Sequence, residues 1–315
     1  MCVGFNELHC IIRDAAEATA TRPLTDEFPN DKWIQRWLAR HPELSVRQVQ
    51  LLDVKRASAS TPDAVINYYK NLKKVLEKLD LLDKPERIWN CDETGIFLLG
   101  RGRERVICPK GLRANVQRSD DRENASIMAC VSASGERMPP MYIFTGDRKA
   151  HWMEKEESQA RCITSESSNI NGKLVLDWLK WFESLLPPER PQLLVLDGHF
   201  AQIQIDVVKY GADRDVHLFI LPGNTSHFLQ PLDVAVFGPF KRFFEKALKS
   251  FLRQNGNKLP IKDDIAGIAR DPLVKACCPD NAKNGFAKAG IFPLSLDVMM
   301  KAKFSIAAEG RRFDP

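Results

Sequence analysis

Three aspartates stand where a strand pattern ends or a long helical pattern begins. Asp92 follows the apolar run Ile88–Cys91, Asp197 follows a second apolar run, and Asp233 precedes a long amphipathic segment. Carboxylates are natural hard ligands for Mg²⁺, and two divalent ions about 4 Å apart can stabilise the attacking and leaving oxygens of a phosphoryl transfer. The residue types therefore indicate a metal-dependent site, provided that the fold brings them together.

Each of these aspartates also has an ordinary structural interpretation. Asp92 could start a turn through Thr94-Gly95, and Asp197 before Gly198 is typical of a turn as well. Asp233 could simply cap the helix that follows it. Spacing alone leaves both interpretations open for each residue.

Short apolar runs separated by turn residues predict the first strands of a sheet. They occupy Ile88–Cys91, Ala125–Val131 and Met141–Thr145. Ser134-Gly135 between the second and third runs fits a hairpin turn, so part of the sheet is expected to be antiparallel.

The second half of the pattern alternates strands with helices. Apolar runs at Gln192–Leu196 and His217–Leu221 enclose a helical segment at Ile203–Tyr210, which predicts a right-handed β-α-β unit. Longer helices are predicted over Asn171–Leu186 and Val234–Leu252. The fold class is therefore expected to be α/β.

The N-terminal part predicts a small helical module instead. Trp33, Trp37 and Leu38 recur at helical spacing before a break at His41-Pro42, and Thr61-Pro62 supplies the start signal of another amphipathic helix. We expect four segments: a helical module at 1–60, a linking helix at 61–84, the strand-rich domain at 85–253 and a helical extension at 254–315.

Composition is typical of a folded protein. The chain has 315 residues, 44% of them hydrophobic and 28% charged, so most of it should fold. A net charge of +5 is compatible with a polyanionic partner but argues for one only weakly. We expect no membrane span, and free thiols at the eight cysteines, which include no C-x-x-C pair.

Several short motifs in the strand-rich region resemble the pogo, Tigger and jerky group of transposases. The same motifs occur in that group in the same order, so the resemblance spans roughly residues 85 to 295. They are Asn90–Gly95 (NCDETG), Leu196–His199 (LDGH), Leu221–Thr225 (LPGNT), Leu229–Asp233 (LQPLD) and Gly285–Pro293 (GFAKAGIFP).

This resemblance implies a ribonuclease H-like mixed sheet flanked by helices. It also implies that Asp92, Asp197 and Asp233 are the catalytic carboxylates and bind Mg²⁺ or Mn²⁺. The reaction implied is hydrolysis of DNA to free a 3′-hydroxyl, which then attacks a target phosphodiester. A nuclear location and a homodimer are further expectations. The chain departs from the group after His199, where Phe200-Ala201-Gln202 replaces a sequence that often contains a second histidine.

The segment from Lys32 to Ser45 resembles the end of a centromere-protein-B-type helix-turn-helix domain, in which a helix enters the major groove. Basic side chains there and elsewhere are candidates for phosphate contacts, although a solvated polar face explains them equally well. The DNA-binding candidates are Arg36, Arg40, Arg47, Arg101, Arg103, Arg105, Lys110, Lys241, Arg242 and Lys246.

Three functions are compatible with these features. The first is a transposase-derived endonuclease that cleaves and joins DNA with the help of divalent metal. The second is a domesticated DNA-binding or regulatory protein that keeps the fold but is catalytically silent. The third is a ribonuclease H-like nuclease that acts on RNA or hybrids.

Overall fold

The structure is a computed structural model that describes residues 5–21, 23–25, 27–42, 62–96, 125–146, 159–165, 172–197, 204–223, 225–256 and 258–300. The chain divides into two compact units. The first consists of residues 1–53 and 303–315, and the second of residues 54–302.

The first unit contains the helices α1 (Phe5–Thr19) and α2 (Asp31–Ala39). The side chain of Asn30 caps α2 by accepting a hydrogen bond from the backbone N–H of Trp33 at 2.9 Å. Helix α2 ends just before His41, as the sequence predicts. The rest of the predicted helix-turn-helix segment lies outside the described residues.

The described part of the second unit is built around one six-stranded sheet with the order β4-β3-β2-β1-β5-β6. Strands β1 to β3 pair antiparallel, whereas β4 is parallel to β3, and β5 and β6 are parallel to β1 and to each other. The strands are β1 (Ile88–Ile96), β2 (Ala125–Ser132), β3 (Met141–Thr145), β4 (Arg161–Ser165), β5 (Gln192–Leu196) and β6 (Val216–Ile220).

These strands confirm the predicted hairpin and the predicted β-α-β unit. Strand β4 was not predicted from the sequence, because its five residues include a charged end and two hydroxyl side chains. Strand β1 is longer than predicted. It continues from Asp92 to Ile96, with Thr94 opposite Ile127 on β2, so the interpretation of Asp92 as the start of a turn is wrong.

Helices cover both faces of this sheet. One short segment, Leu232–Val236, has π-helical hydrogen bonding and leads directly into the long helix that was predicted from residue 234. The helices are α3 (Pro62–Lys78), α4 (Gly172–Leu185), α5 (Ile205–Asp213), α6 (Ser226–Leu229), α7 (Phe237–Gln254), α8 (Lys262–Ala276), α9 (Pro279–Lys288) and α10 (Leu296–Met299).

Alternate residues of β1 face opposite sides of the sheet. Trp89 and Cys91 lie in an apolar core with Trp178 and Phe182 of α4 and Val207 of α5. Asn90, Asp92 and Thr94 alternate with them along β1 and therefore face the other side of the sheet. The sequence of β1 thus gives the sheet one apolar face and one face with polar groups.

Helix α3 packs within the second unit. The hydroxyl of Tyr69 donates a hydrogen bond to the backbone carbonyl of Ala289 at 2.6 Å, and the ring of Tyr68 lies 5.6 Å from that of Phe219 on β6. Both tyrosines are buried. The helix that the sequence suggested as a linker between two parts therefore contributes to the core of residues 54–302.

A three-stranded antiparallel meander, two further strands parallel to its first strand, and helices on both faces together form a ribonuclease H-like domain. This confirms the predicted fold class. Strand β4 extends the sheet at the outer side of β3.

We predict that Gly285→Ala destabilises the protein by about 1–3 kcal/mol, because the added methyl group would overpack a tight backbone contact. A Cβ atom at Gly285 would lie 2.6 Å from the carbonyl oxygen of Pro231, which precedes the π-helical segment. Urea unfolding followed by circular dichroism measures the change.

Gly238 on α7 is the matched control, because a Cβ atom there would meet no atom within 4 Å. Gly238→Ala is expected to leave stability unchanged or to raise it by up to about 1 kcal/mol, since alanine is the better helix former. Equal unfolding midpoints for the two variants would contradict the close packing of α9 on Pro231.

Candidate active site

The parallel register of β1 and β5 places two aspartates side by side. Ile88 pairs with Leu193 and Asn90 with Val195, so continuing two residues along both strands brings Asp92 level with Asp197. Residues that are level on neighbouring parallel strands point to the same face, and the strands are about 4.8 Å apart. Both side chains are buried. The sheet therefore carries two adjacent buried carboxylates.

Asp233 lies in the π-helical segment that leads into α7, and its side chain is exposed. The N-cap position of this segment is occupied by Pro231, and no side chain caps it by a hydrogen bond. The interpretation of Asp233 as a helix cap is therefore wrong.

The charges of the other two aspartates act on the carboxyl group of Asp92. Burial raises the pKa of Asp92 well above its ordinary value, and the negative charges of Asp233 and Asp197 raise it further. Hydrogen bonds from the backbone N–H of Glu93 and from the side chain of Gln230 act in the opposite direction. The three carboxyl groups therefore interact electrostatically at Asp92, and their joint binding of a metal ion stays a prediction.

Two uncharged side chains connect the segments that carry the aspartates. Asn90 and Gln230 are both fully buried. The Nδ2 atom of Asn90 donates hydrogen bonds to Oε1 of Gln230 at 2.7 Å and to the carbonyl oxygen of Val195 at 3.0 Å. Its Oδ1 atom accepts a hydrogen bond from the N–H of Leu232 at 3.1 Å, and Nε2 of Gln230 donates to the carbonyl oxygen of Cys91 at 3.0 Å.

Asp197 has a hydroxyl partner of its own. The Oγ atom of Ser226, in the first turn of α6, donates a hydrogen bond to Oδ2 of Asp197 at 2.9 Å. This hydrogen bond restricts the rotation of the Asp197 carboxylate.

The site is electronegative but does not form a closed cage. Within the part of the chain that the structure describes, no three His, Cys, Asp or Glu side chains are close enough to enclose a metal ion together. The charge coupling at Asp92 and this wider spacing are compatible, because Coulomb interactions act over longer distances than metal–ligand bonds. The donor set itself, three carboxylates of which two are buried side by side, fits a hard divalent cation.

The predicted DNA-binding residues lie in different parts of the chain. Lys241, Arg242 and Lys246 are exposed on α7, and none of them forms an ion pair with a described residue. Arg36 and Arg40 are exposed at the end of α2 in the first unit. Outside the described residues lie Arg47, Arg101, Arg103, Arg105 and Lys110, together with His199.

Sequence reasoning did not single out Asn90, Gln230 or Ser226. Asn90 stands between two core residues, Trp89 and Cys91, in an otherwise apolar stretch. A polar residue at such a position must find hydrogen-bond partners when buried, and that requirement could have marked it. The partner of Asn90 is 140 residues away along the chain, so only the structure could identify it.

Taken together, the site and its scaffold define a class of protein: a ribonuclease H-like domain with a cluster of interacting carboxylates at its sheet. Residues 121–268 match the family described as the DDE superfamily endonuclease. This part of the chain is therefore similar to a DDE superfamily endonuclease domain, and the matched segment includes Asp197 and Asp233.

A curated relative is the protein named MFS-type transporter clz9 from Cochliobolus lunatus, which is 23% identical over 244 residues. The match covers 73% of this chain but 26% of the relative, so the chain spans about a quarter of that protein's length. Among the helices in the described ranges, none is both long enough and apolar enough to cross a membrane.

Solved structures of Mos1 transposase are also similar to this chain. A paired-end complex with the left transposon end is 12% identical, with 90% of this chain and 78% of that chain covered and a TM-score of 0.43. The Mos1 strand transfer complex is 13% identical with the same coverage and TM-score. A Mos1 catalytic domain with raltegravir and Mn is 12% identical, covers 77% of this chain and 98% of that chain, and has a TM-score of 0.37.

We predict that Asp92→Asn stabilises the metal-free protein at neutral pH by on the order of 1 kcal/mol. Asparagine keeps the shape of the side chain but removes a buried charge that is repelled by Asp233 and Asp197. The measurement is urea unfolding of both proteins in the presence of EDTA.

The pH dependence has a defined sign. Folding raises the pKa of Asp92, so ionisation of this residue lowers the stability of the wild type over a defined pH interval. The interval begins at the ordinary pKa of 3.8 and ends at the raised pKa of the folded state. The advantage of Asp92→Asn should therefore grow over that interval and then stay constant. A variant that is less stable than the wild type at every pH would contradict the electrostatic description of the site.

Proposed function

We propose that the protein is a transposase-derived, metal-dependent endonuclease that cleaves DNA and joins the resulting 3′-hydroxyl to a target phosphodiester. The observation that carries this proposal is the placement of Asp92 on β1 beside Asp197, which directly follows β5, with the charge of Asp233 acting on the carboxyl group of Asp92. Burying like charges side by side costs stability, so a structural role alone does not explain them.

Asp92, Asp197 and Asp233 would hold Mg²⁺ or Mn²⁺. When bound, the divalent metal would neutralise charge on the scissile phosphate and on the attacking and leaving oxygens. In the structure these three side chains are not arranged to coordinate one metal ion together, so metal binding would require a change of side-chain conformation. Asp233 is the exposed member of the set and has the most space for that change.

The residues around the carboxylates would keep them oriented. Ser226 holds one oxygen of Asp197, and the backbone N–H of Glu93 holds Oδ1 of Asp92 at 2.8 Å. Each of these contacts restricts the rotation of its carboxylate. Such preorganisation is what phosphoryl-transfer sites require of the protein.

The exposed basic side chains of α7 would bind the phosphate backbone of DNA. Lys241, Arg242 and Lys246 lie within six residues of one another, and α7 begins directly after the segment that carries Asp233. Because these cations have no ion-pair partner among the described residues, phosphate binding would not have to break one. Contacts of this kind position DNA without reading its sequence.

Finer assignments rest on sequence motifs. The LQPLD and LPGNT motifs support a place in the pogo, Tigger and jerky group, and membership of that group would imply a nuclear protein that acts as a homodimer. The segment around α2 supports a helix-turn-helix module, with Arg36 and Arg40 contacting phosphates. The Mos1 complexes carry transposon ends, which is the kind of substrate we propose here.

The proposed endonuclease predicts strand cleavage. Full-length protein with Mg²⁺ or Mn²⁺ is expected to nick supercoiled DNA, and Asp197→Asn should reduce the nicking rate by at least about a hundredfold, because it removes a metal ligand. DNA affinity, measured by fluorescence anisotropy, should remain near the wild-type value.

Asp177→Asn is the control for the charge change, because Asp177 is an exposed acidic residue on α4. Its nicking rate should equal that of the wild type. If the wild type binds DNA but never nicks it with either metal, the catalytically silent regulatory protein is the correct function. Faster cleavage of RNA or of an RNA–DNA hybrid would instead favour the ribonuclease.

A separate prediction concerns the basic side chains of α7. Replacing Lys241, Arg242 and Lys246 by glutamine should weaken binding to DNA of any sequence. It should also reduce the slope of log K against log salt by about 0.9 for each phosphate that the variant no longer neutralises. Anisotropy titrations at several salt concentrations measure both quantities.

A triple variant with the same change in net charge tests whether the position matters. Lys180 and Lys209 are exposed on α4 and α5, and the guanidinium group of Arg214 lies 5.4 Å from the ring of Tyr210. Changing these residues to glutamine should leave the salt slope unaltered. Equal reductions of affinity in the two triple variants would show that only the net charge matters.

A further inference from the structure

The side chain of Asn90 touches each of the three segments that carry the aspartates. Asn90 itself is two residues before Asp92 on β1. Its Nδ2 atom binds the carbonyl of Val195, two residues before Asp197, and its Oδ1 atom binds the N–H of Leu232, one residue before Asp233. One buried amide therefore links three parts of the chain that are remote in sequence.

Gln230 completes this arrangement. Its Oε1 atom accepts the second hydrogen bond of Asn90 Nδ2, and its Nε2 atom donates to the carbonyl of Cys91, directly before Asp92. Gln230 is three residues before Asp233 and two before the π-helical segment, so it ties the chain that leads into this segment to β1 a second time. We call Asn90 and Gln230 together the amide bridge.

We propose that the amide bridge is a positioning device that sets the distance of Asp233 from Asp92 and Asp197 and thereby the affinity of the site for divalent cations. This inference rests on the proposed function, because it assumes that the three aspartates bind metal. Its specific claim is that Asn90 and Gln230, which carry no charge, control metal affinity through Asp233.

The three segments that carry the aspartates are held in different ways. Asp92 and Asp197 are fixed relative to each other by the backbone pairing of β1 with β5. Asp233 is outside the sheet, and a π-helical turn has wider and less regular hydrogen bonding than an α-helix. The chain around Asp233 is hydrogen-bonded to β1 through these two amides. Their removal would therefore allow the Asp233 carboxylate to move relative to Asp92 and Asp197.

A purely structural role is the alternative, and the chain offers a matched control for it. Gln192 is also fully buried and forms two hydrogen bonds: its Oε1 accepts from the indole N–H of Trp89 at 2.9 Å, and its Nε2 donates to the carbonyl of Glu189 at 2.9 Å. It lies at the opposite end of β5 from Asp197. Removing either glutamine should cost similar stability, but only Gln230 should affect the metal site.

The experiment measures Mn²⁺ binding to the full chain by electron paramagnetic resonance of the free ion, together with urea stability. Gln230→Met should weaken Mn²⁺ binding by about 10-fold or more, as is typical for residues that orient metal ligands. Gln192→Met should leave it unchanged. Gln230→Asn, which keeps an amide but is one methylene shorter, should show the same loss and serves if Gln230→Met does not fold.

A double variant tests the route of the effect. In an Asp233→Asn background, Gln230→Met should cause a much smaller further loss of Mn²⁺ affinity, limited to its hydrogen bond with Asp92, because the carboxylate that the amide bridge positions is absent. Additive losses would overturn the proposal, as would equal Mn²⁺ affinity of the wild type and Gln230→Asn. If the wild type binds no Mn²⁺ at all, the metal-dependent function fails first and the inference fails with it.

Discussion

The parallel pairing of β1 with β5 is the constraint on which the site depends. Its register decides that Asp92 and Asp197 are level with each other and point to the same face of the sheet. A shift by one residue would turn one of the two side chains into the apolar core on the other face. Trp89 and Cys91 oppose that shift, because they are the residues that fill this core.

This constraint has an electrostatic cost that the surrounding structure partly offsets. Burial removes hydration from Asp92, and the negative charges of Asp233 and Asp197 repel its ionised form; the raised pKa of Asp92 has these causes. The neighbouring donors, Ser226 at Asp197 and the Glu93 N–H at Asp92, replace some of the hydrogen bonds that water would otherwise provide. The remaining negative charge favours binding of a cation, and the proposed chemistry depends on that property.

Short-range sequence patterns predict those strands whose position depends on neighbouring residues. The runs that became β2, β3 and β5 were predicted within a residue or two, because apolar periodicity and turn residues determine them. Strand β4 and the π-helical segment were not predicted. Strand β4 depends on pairing with β3, and the π-helical hydrogen bonds have no distinct residue pattern. The three aspartates were recognised from motifs, whereas their placement depends on long-range pairing.

The two faces of the sheet explain why a polar network can exist inside this domain. On one face, Trp178 and Phe182 of α4 stack with ring centroids 5.2 Å apart and pack on Trp89, so apolar burial there stabilises the sheet. The other face can then hold Asn90 and Gln230, provided that every polar atom is hydrogen-bonded, because an unsatisfied buried amide costs about 1–3 kcal/mol. The amides satisfy this condition through backbone groups beside the aspartates. The same hydrogen bonds that make burial of the amides tolerable therefore fix the geometry of the site.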